Sequence, residues 1–244
     1  MSGVVTALRA GIQVRGPGGD VFLECPFEEA LVADVLAAKP WRTFRWHKGQ
    51  MHFSGSFWSA TEGRPVIYES LLELAWLLQA DFDPAVSRII AQPFLMTAHV
   101  DGRERRHIPD FLLLRANGPQ VVDVKPASRL ERPEVAFTFA WSRQVVEARG
   151  WEYVVRSEPD PVRVANVRFL ARGRRAWLFA PELVERMNDA VGDGMTLGDA
   201  FAAVPEVEAR LARAAALHLL WRGLIVTDLS VPLSSDSVLR RRQQ

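Results

Sequence analysis

Apolar positions along this chain alternate between helical and strand-like spacing. Over 66–80, leucine and alanine recur around most of a helical circumference, which predicts a largely buried helix. Residues 86–100 predict one or two strands interrupted at Pro93. A second helix is predicted over 133–149, followed by a strand over 151–156. Helices that alternate with strands in this way indicate an α/β fold.

The clearest local signal is a hairpin between two apolar strands. Residues 111–115 and 121–125 flank the turn sequence Asn117-Gly118-Pro119. Asn-Gly between two apolar runs is a strong hairpin signal, because both residues tolerate the backbone angles of a tight turn. We therefore expect these two strands to pair antiparallel.

The two ends of the chain give weaker patterns. Residues 27–38 have helical spacing, and residues 42–59 alternate aromatic and polar side chains, which suits short strands or a hairpin. After about residue 176 the pattern is mainly helical, with the clearest helix at 206–222. We divide the chain into a leading segment (1–63), a core (64–157), a connecting segment (158–195) and a small helical, winged-helix-like C-terminal module (196–244).

Composition bounds the class of protein. With 244 residues, 48% of them hydrophobic and 24% charged, the chain can bury an ordinary core and is not disordered. No apolar run approaches the roughly 18–20 residues of a membrane span, and residues 1–9 lack a signal-peptide pattern. We therefore expect a cytoplasmic protein with no membrane partner. The single cysteine, Cys25, excludes an internal disulfide and a multi-cysteine zinc site, so any metal is expected to be held by oxygen.

Lysine is scarce in this chain. The net charge is +1, but only three of the 30 basic residues are lysines, namely Lys39, Lys48 and Lys125. A position that needs only positive charge would be filled by arginine in such a chain. Lys125 therefore indicates a need for the compact ammonium group and its tunable pKa.

Charged residues gather where the predicted hairpin strands end. Asp123 and Lys125 are two residues apart and share one face of the strand. If the loop is Asn117-Gly118, or four residues centred there, Asp110 faces Lys125 and lies diagonal to Asp123. A loop with an odd number of residues would place Asp110 on the other face unless a bulge intervened. The alternative is structural, with Asp110 capping a strand and Asp123 and Lys125 forming a solvated pair.

A divalent cation would compensate these carboxylates. Asp110 and Asp123 offer hard oxygen ligands for Mg²⁺, and the backbone carbonyl of Val124 offers another. Such an ion would lower the pKa of a bound water and offset charge on a phosphoryl oxygen. Lys125 would orient the attacking water or stabilise the transition state.

The upstream helix adds two acids. Glu69 and Glu73 are four residues apart, so both are expected on one helical face, and either could reach the metal. Glu69 has an alternative explanation, because acids favour the first turn of a helix. We place Glu73 in the middle of the helix, where that explanation does not apply.

Three short motifs resemble a known nuclease superfamily. They are Glu-Leu-Ala at 73–75, Pro-Asp-Phe at 109–111 and Asp-Val-Lys-Pro-Ala at 123–127. They resemble the PD-(D/E)xK nucleases, and more closely the TnsA branch, the endonuclease subunit of heteromeric Tn7-like transposases. The similarity covers about residues 64–156 and includes His-Ile-Pro-Asp at 107–110 and Gln92-Pro93.

This resemblance implies a fold, a reaction and partners. The fold would be a restriction-endonuclease-like mixed sheet flanked by helices. The expected catalytic residues are Glu73, Asp110, Asp123 and Lys125. The reaction would be Mg²⁺-dependent hydrolysis of one DNA strand at each transposon end, with Mn²⁺ substituting, leaving a 5′-phosphate and a 3′-hydroxyl. A transposase of the RNase H type and an AAA+ ATPase regulator would be the partners.

Several polar residues near the predicted site are candidate DNA contacts. They are Arg103, Arg105, Arg106, His107, Arg143 and Gln144. We place the first four in an arginine-rich loop and the last two on the surface of the second helix, and each has simple solvation as its alternative. The amide of Gln92 either holds a water or backbone group near the sheet or is a plain polar residue at a strand end.

Two other functions are compatible with the same residues. A stand-alone restriction or repair nuclease would use the same chemistry but needs its own sequence-reading domain. A non-catalytic DNA-binding or scaffolding protein would keep the fold without the chemistry, and the intact acidic and lysine positions argue against it.

Overall fold

The computed structural model describes residues 9–42 and 53–242, and the chain divides into two units. The first unit consists of residues 1–80 and 85–158, and the second of residues 81–84 and 159–244. Within the described ranges, no helix combines the length and the apolar character that a membrane crossing requires.

Strands dominate the first unit. In chain order they are β1 (Ala10–Arg15), β2 (Val21–Pro26), β3 (Gly55–Ser59), β4 (Arg64–Tyr68), β5 (Val86–Ala91), β6 (Leu95–Val100), β7 (Arg103–His107), β8 (Phe111–Arg115), β9 (Gly118–Val124) and β10 (Glu152–Arg156). The helices are α1 (Val32–Leu36), α2 (Leu71–Phe82), α3 (Ala127–Leu130) and α4 (Pro133–Ala148), and the last two residues of α2 belong to the second unit.

The central sheet of the first unit has the strand order β10-β9-β8-β5. β10 pairs parallel with β9, whereas β9, β8 and β5 pair antiparallel, so the sheet is mixed as predicted. A second sheet has the order β2-β1-β6-β7, and β3 pairs with β4. The mixed α/β class is therefore confirmed, and this architecture is consistent with a nuclease fold.

Successive side chains of β8 and β9 point to opposite faces of the central sheet, and both faces are buried. Leu112 and Val121 pack in one buried cluster with Trp141 of α4. Their neighbours in sequence pack in a second cluster, which includes Leu77 of α2. Strands buried on both faces are apolar throughout, which is why a charged residue within them stands out.

The structure corrects three predicted elements. The helix expected over 66–80 begins only at Leu71, because Val66 lies in β4, where it pairs with β3. The segment 27–38 forms a 3₁₀ turn followed by the short α1 instead of one helix. The predicted arginine-rich loop is the strand β7. Its side chains are polar, so the sequence shows no alternation of apolar residues there, and the strand forms through backbone pairing with β6.

Other predicted elements agree with the structure. The strands on either side of Pro93, the hairpin, the helix α4 and the strand β10 are all present. Of the pattern at 42–59, the part from Gly55 onward is β3, and residues 43–52, including Lys48, lie outside the described residues.

Helices dominate the second unit. They are α5 (Pro161–Leu170), α6 (Pro181–Ala190), α7 (Leu197–Ala202) and α8 (Ala209–Trp221), followed by the short strands β11 (Ile225–Val226) and β12 (Arg240–Arg241). β11 and β12 pair antiparallel, and Thr196 forms a bridge to Val238. This order of elements suits the winged-helix-like module, which stays a prediction.

Candidate active site

The β8–β9 hairpin places Asp110 opposite Asp123. Pairing runs from Phe111 with Val122 to Arg115 with Gly118, so the turn residues are 116 and 117. Gly118, expected in the turn, instead begins β9 with a φ of 115°, which favours glycine. The register therefore differs by two residues from the predicted one, and Asp110 falls opposite Asp123 instead of Lys125. An even shift preserves the face, so the two aspartates stay on the same side.

Asp123 is buried and its carboxylate is held by two neighbouring side chains. The residue is only 2% exposed. His107 Nε2 lies 2.8 Å from its Oδ2 and 3.0 Å from its Oδ1, and the hydroxyl of Tyr153 donates to Oδ2. Burial and the Asp123 carboxylate raise the pKa of Tyr153 far above its usual value, so this hydroxyl keeps its proton. The Asp123 carboxylate is thus fixed in one orientation.

Asp110 lies among charges of its own sign. Its Oδ2 accepts a hydrogen bond of 2.6 Å from the backbone N–H of Val124. Burial, followed by the carboxylates of Asp123 and Glu73, raises the pKa of Asp110 well above its usual value. The Val124 N–H and the Lys125 ammonium act in the opposite direction without cancelling the shift. The site therefore brings half-buried Asp110 together with the buried carboxylates of Asp123 and Glu73, which favours proton or cation binding.

Glu73 is at the start of α2 and not in its middle, which corrects the prediction. Ser70 precedes the helix, and its Oγ accepts the Glu73 N–H at 3.1 Å and donates to Glu73 Oε1 at 2.9 Å. Glu73 Oε2 accepts the N–H of Glu69 at 2.7 Å. This arrangement resembles a capping box, so Glu73 also has a structural role. Burial is the main cause that raises the pKa of Glu73.

Glu69 lies before the helix, so it does not share a helical face with Glu73. Its carboxylate forms an ion pair of 2.9 Å with Arg42. Both acids line the same open groove of about 500 Å³, together with Val124 and Lys125.

Basic groups line this groove as well. Arg42, Lys125 and Arg129 all belong to its lining. Lys125 comes directly after β9, and its backbone N–H donates to Arg156 O at 2.8 Å, which extends the pairing with β10 by one residue. The groove thus presents cationic side chains beside Glu73, as a site for a phosphodiester requires.

The predicted DNA contacts lie in other places. Arg103 is exposed at the start of β7, and Arg106 forms an ion pair of 2.8 Å with Glu104. The guanidinium of Arg105 lies 5.0 Å from the centre of the Phe137 ring. None of the three lines the groove of Lys125. His107 points to Asp123 instead of to solvent.

The two predicted contacts on α4 also lie outside the groove lining. Arg143 donates to Tyr153 O and to Glu147 Oε1, each at 2.9 Å, and its guanidinium lies 5.1 Å from the centre of the Tyr153 ring. Gln144 is half-buried. Arg143 therefore supports Tyr153.

Sequence reasoning missed Tyr153 as a site residue. Tyr153 reaches Asp123 because β10 pairs parallel with β9, with Tyr153 in register with Val121. No local pattern specifies which strands pair in parallel, so the only signal was one tyrosine hydroxyl next to the valines of this strand.

Gln92 belongs to the support of the site. Its N–H donates to Asp110 O at 2.9 Å, and its Oε1 accepts the N–H of Arg42 at 2.8 Å. It is buried with a φ of 48°, a conformation that costs energy for a residue other than glycine. Of its two interpretations, the one in which its amide holds a backbone group is correct.

The donor set fits a hard divalent cation held by two carboxylates. Within residues 9–42 and 53–242 there is no group of three or more His, Cys, Asp or Glu side chains that could hold a metal ion. Asp110 and Asp123 are a pair of oxygen donors, the carboxylates of Asp123 and Glu73 contribute to the raised pKa of Asp110, and Oδ1 of Asp110 has no hydrogen-bond partner among the described residues. Mg²⁺ is commonly bound through one or two carboxylates and keeps several waters.

Comparison with known protein families agrees with the resemblance noted in the sequence. Residues 83–158 match the family model described as the TnsA-like endonuclease N terminal domain. The matched segment contains Asp110, Asp123 and Lys125 and ends at residue 158, where the first unit also ends. A comparison with curated proteins finds no match. The predicted resemblance to TnsA-like nucleases is therefore confirmed.

Proposed function

We propose that this protein is a metal-dependent DNA endonuclease that hydrolyses phosphodiester bonds. The observation that carries the proposal is the placement of Asp110, directly before β8, opposite Asp123 near the end of β9, two residues before Lys125. Asp123 is buried and Asp110 is half-buried, and burial together with the carboxylates of Asp123 and Glu73 raises the pKa of Asp110. The match to a TnsA-like endonuclease domain over the same strands supports a nuclease.

Each residue has a defined role in this proposal. Asp110 and Asp123 would hold Mg²⁺, or Mn²⁺ in its place, with the Val124 carbonyl as a further ligand. When bound, such an ion lowers the pKa of a coordinated water and stabilises charge on phosphoryl oxygen. Lys125 would donate hydrogen bonds to the scissile phosphate or the attacking water from within the groove.

Glu73 and the arginines of the groove would help to bind the cation and the DNA. The carboxylate of Glu73, held by Ser70, adds negative charge beside Asp110 and so favours a cation there. Arg42 and Arg129 would contact the DNA backbone near the scissile phosphate, since both line the groove. These contacts position the strand without reading its sequence.

The biological setting follows from the resemblance. We propose that the protein is the endonuclease subunit of a heteromeric transposase and cuts one strand at each transposon end, leaving a 5′-phosphate and a 3′-hydroxyl. An RNase H-type transposase would cut the other strand, and an AAA+ ATPase would regulate both. If the protein were instead a stand-alone nuclease, it would be fully active and would select its site without partners.

Nicking of supercoiled plasmid tests the chemistry. The wild type is expected to convert plasmid to open circles with Mg²⁺ or Mn²⁺ and not with EDTA. Asp123→Asn and Lys125→Met should abolish nicking, whereas His99→Gln, a change at an exposed position of β6, should not. Equal nicking by wild type and Lys125→Met would refute the proposal.

Transposon-end DNA tests the setting. If cleavage of end-containing DNA requires an added transposase and ATPase, and the products carry 5′-phosphates on one strand only, the subunit role is supported. Site-specific cleavage of both strands by the protein alone would contradict it.

A further inference from the structure

The two oxygens of the Asp123 carboxylate are not equivalent. Oδ2 accepts from both His107, at 2.8 Å, and the hydroxyl of Tyr153. Oδ1 has a single longer contact of 3.0 Å, to the same His107 nitrogen, among the described residues. One oxygen is therefore saturated and the other retains accepting capacity.

Both donors are themselves fixed by packing. The His107 ring lies edge-on to Phe139 and Trp141, with ring centres 6.3 and 6.2 Å away. The Tyr153 ring is buried and contacts the Arg143 guanidinium, which also donates to the Tyr153 carbonyl. Neither donor is free to follow the carboxylate, so the carboxylate adopts the orientation that they set.

We infer that His107 and Tyr153 are positioning residues that hold Oδ2 of Asp123, so that Oδ1 is the oxygen this carboxylate offers to a divalent cation. The inference rests on the proposed function, because it assumes that Asp123 binds the ion. It extends that function by assigning two residues that touch neither the ion nor the DNA.

A purely structural role for this cluster is less consistent with its composition. An apolar side chain in place of Asp123 would satisfy a core that already contains Val121 and Trp141. A buried carboxylate with two dedicated donors is instead typical of a metal ligand and the groups around it, since hydrogen-bonded ligands bind with less reorganisation.

Binding of Mn²⁺ to the full-length protein without DNA tests the inference. Free Mn²⁺ is measured by its electron paramagnetic resonance signal during titration. Tyr153→Phe removes one hydroxyl and is expected to weaken Mn²⁺ binding by about 10–100-fold, the usual effect of removing a group that orients a ligand. Tyr68→Phe, the same change at the other tyrosine of the chain, should leave the affinity within about twofold of the wild type, a margin well below that effect.

The His107 position provides an independent test if Tyr153→Phe does not fold. His107→Gln keeps an N–H donor and His107→Leu does not, so Gln should retain more Mn²⁺ affinity than Leu. His99→Gln controls for the loss of a histidine. Because the defect is in affinity, saturating Mn²⁺ should restore nicking by Tyr153→Phe but not by Asp123→Asn. A positioning role predicts this recovery, whereas damage to the fold does not.

The outcomes separate the two proposals. If Asp123→Asn loses Mn²⁺ binding while Tyr153→Phe and both His107 variants bind like the wild type, the positioning role is wrong and the proposed function stands. If the folded wild type neither binds Mn²⁺ nor nicks DNA, both proposals fail.

Discussion

Both units bury polar side chains, but they satisfy them differently. In the second unit, Asn166 donates to Leu229 O at 3.0 Å and to Val231 O at 2.7 Å, and accepts the N–H of Leu233 at 3.1 Å. His218 Nδ1 lies 2.7 Å from Gly173 O, and burial lowers its pKa, which favours the neutral ring. These groups are neutral and matched to backbone atoms.

The first unit brings carboxylates together, with Asp123 and Glu73 buried and Asp110 half-buried. Asp110 lies close enough to Asp123 and Glu73 that both raise its pKa, and Lys125 does not offset them. Hydrogen bonding alone explains the buried groups of the second unit, because they complete the fold. The raised pKa of Asp110 means that its charged form is disfavoured in the folded state, so hydrogen bonding alone does not explain this cluster.

The largest expected effect is on chemistry at the acidic cluster. Lys125→Arg keeps the positive charge but replaces the compact ammonium with a planar guanidinium. We expect plasmid nicking to fall by at least about 100-fold, the scale of losing one transition-state donor. The rate is measured under single-turnover conditions. Nicking within a few-fold of the wild type would show that charge alone is needed at this position.

Removing the neutral cluster should affect stability instead. Asn166→Ala leaves two backbone carbonyls and one N–H without their partner, so the free energy of unfolding should fall by about 2–4 kcal/mol. Urea denaturation followed by circular dichroism measures this loss. A change below about 0.5 kcal/mol, the range of an ordinary surface substitution, would mean that Asn166 does not organise the segment after β11.

Neutralising the acidic cluster should have the opposite sign. Because the pKa of Asp110 is raised in the folded state, the folded state binds more protons and stability falls as the pH rises toward neutrality. In the absence of metal, Asp110→Asn should therefore raise the free energy of unfolding by about 1–3 kcal/mol at pH 7–8, with a smaller gain at acidic pH. Thermal unfolding at several pH values with EDTA measures it. If the variant were less stable than the wild type at every pH, the Asp110 carboxylate would not be destabilising in the folded state, which would contradict this prediction.

The smallest effects are expected at two helix starts, one in each unit. Ser70 caps α2 beside Glu73, and Thr196 caps α7 in a capping box with Asp199. Ser70→Ala and Thr196→Ala should each lower the free energy of unfolding by about 1 kcal/mol. Only Ser70→Ala should also reduce nicking, since it releases the Glu73 carboxylate. If both variants nick DNA equally well, Glu73 does not contribute to the site through its cap.

Local patterns predicted the elements of the first unit better than their arrangement. The hairpin, α4 and β10 follow from apolar periodicity and turn residues. The register of the hairpin does not follow from these patterns. The Asn-Gly pair suggested a turn one residue later than the one at 116 and 117. The face of Asp110 was still predicted correctly. Moving the turn by one residue changes the pairing register by two, and an even shift keeps the side chain on the same face.

Two features of the site depend on different kinds of information. Ser70 and Glu73 form an S-x-x-E pattern, a capping signal that the sequence contained and that was missed when the helix was started at Val66. The contacts of His107 and Tyr153 with Asp123 depend on long-range pairing, which no local pattern specifies. The strand β7 was also missed, because its side chains are mostly charged and it forms through backbone pairing with β6.

Crystals of the full-length protein soaked in Mn²⁺ would test the central claim most directly, by anomalous scattering at the manganese edge. The account predicts a peak bonded to Oδ1 of Asp123 and to a carboxylate oxygen of Asp110, which is lost in Asp110→Asn. A fully soaked crystal with no peak between these aspartates, or with a peak that Asp110→Asn leaves unchanged, would contradict it.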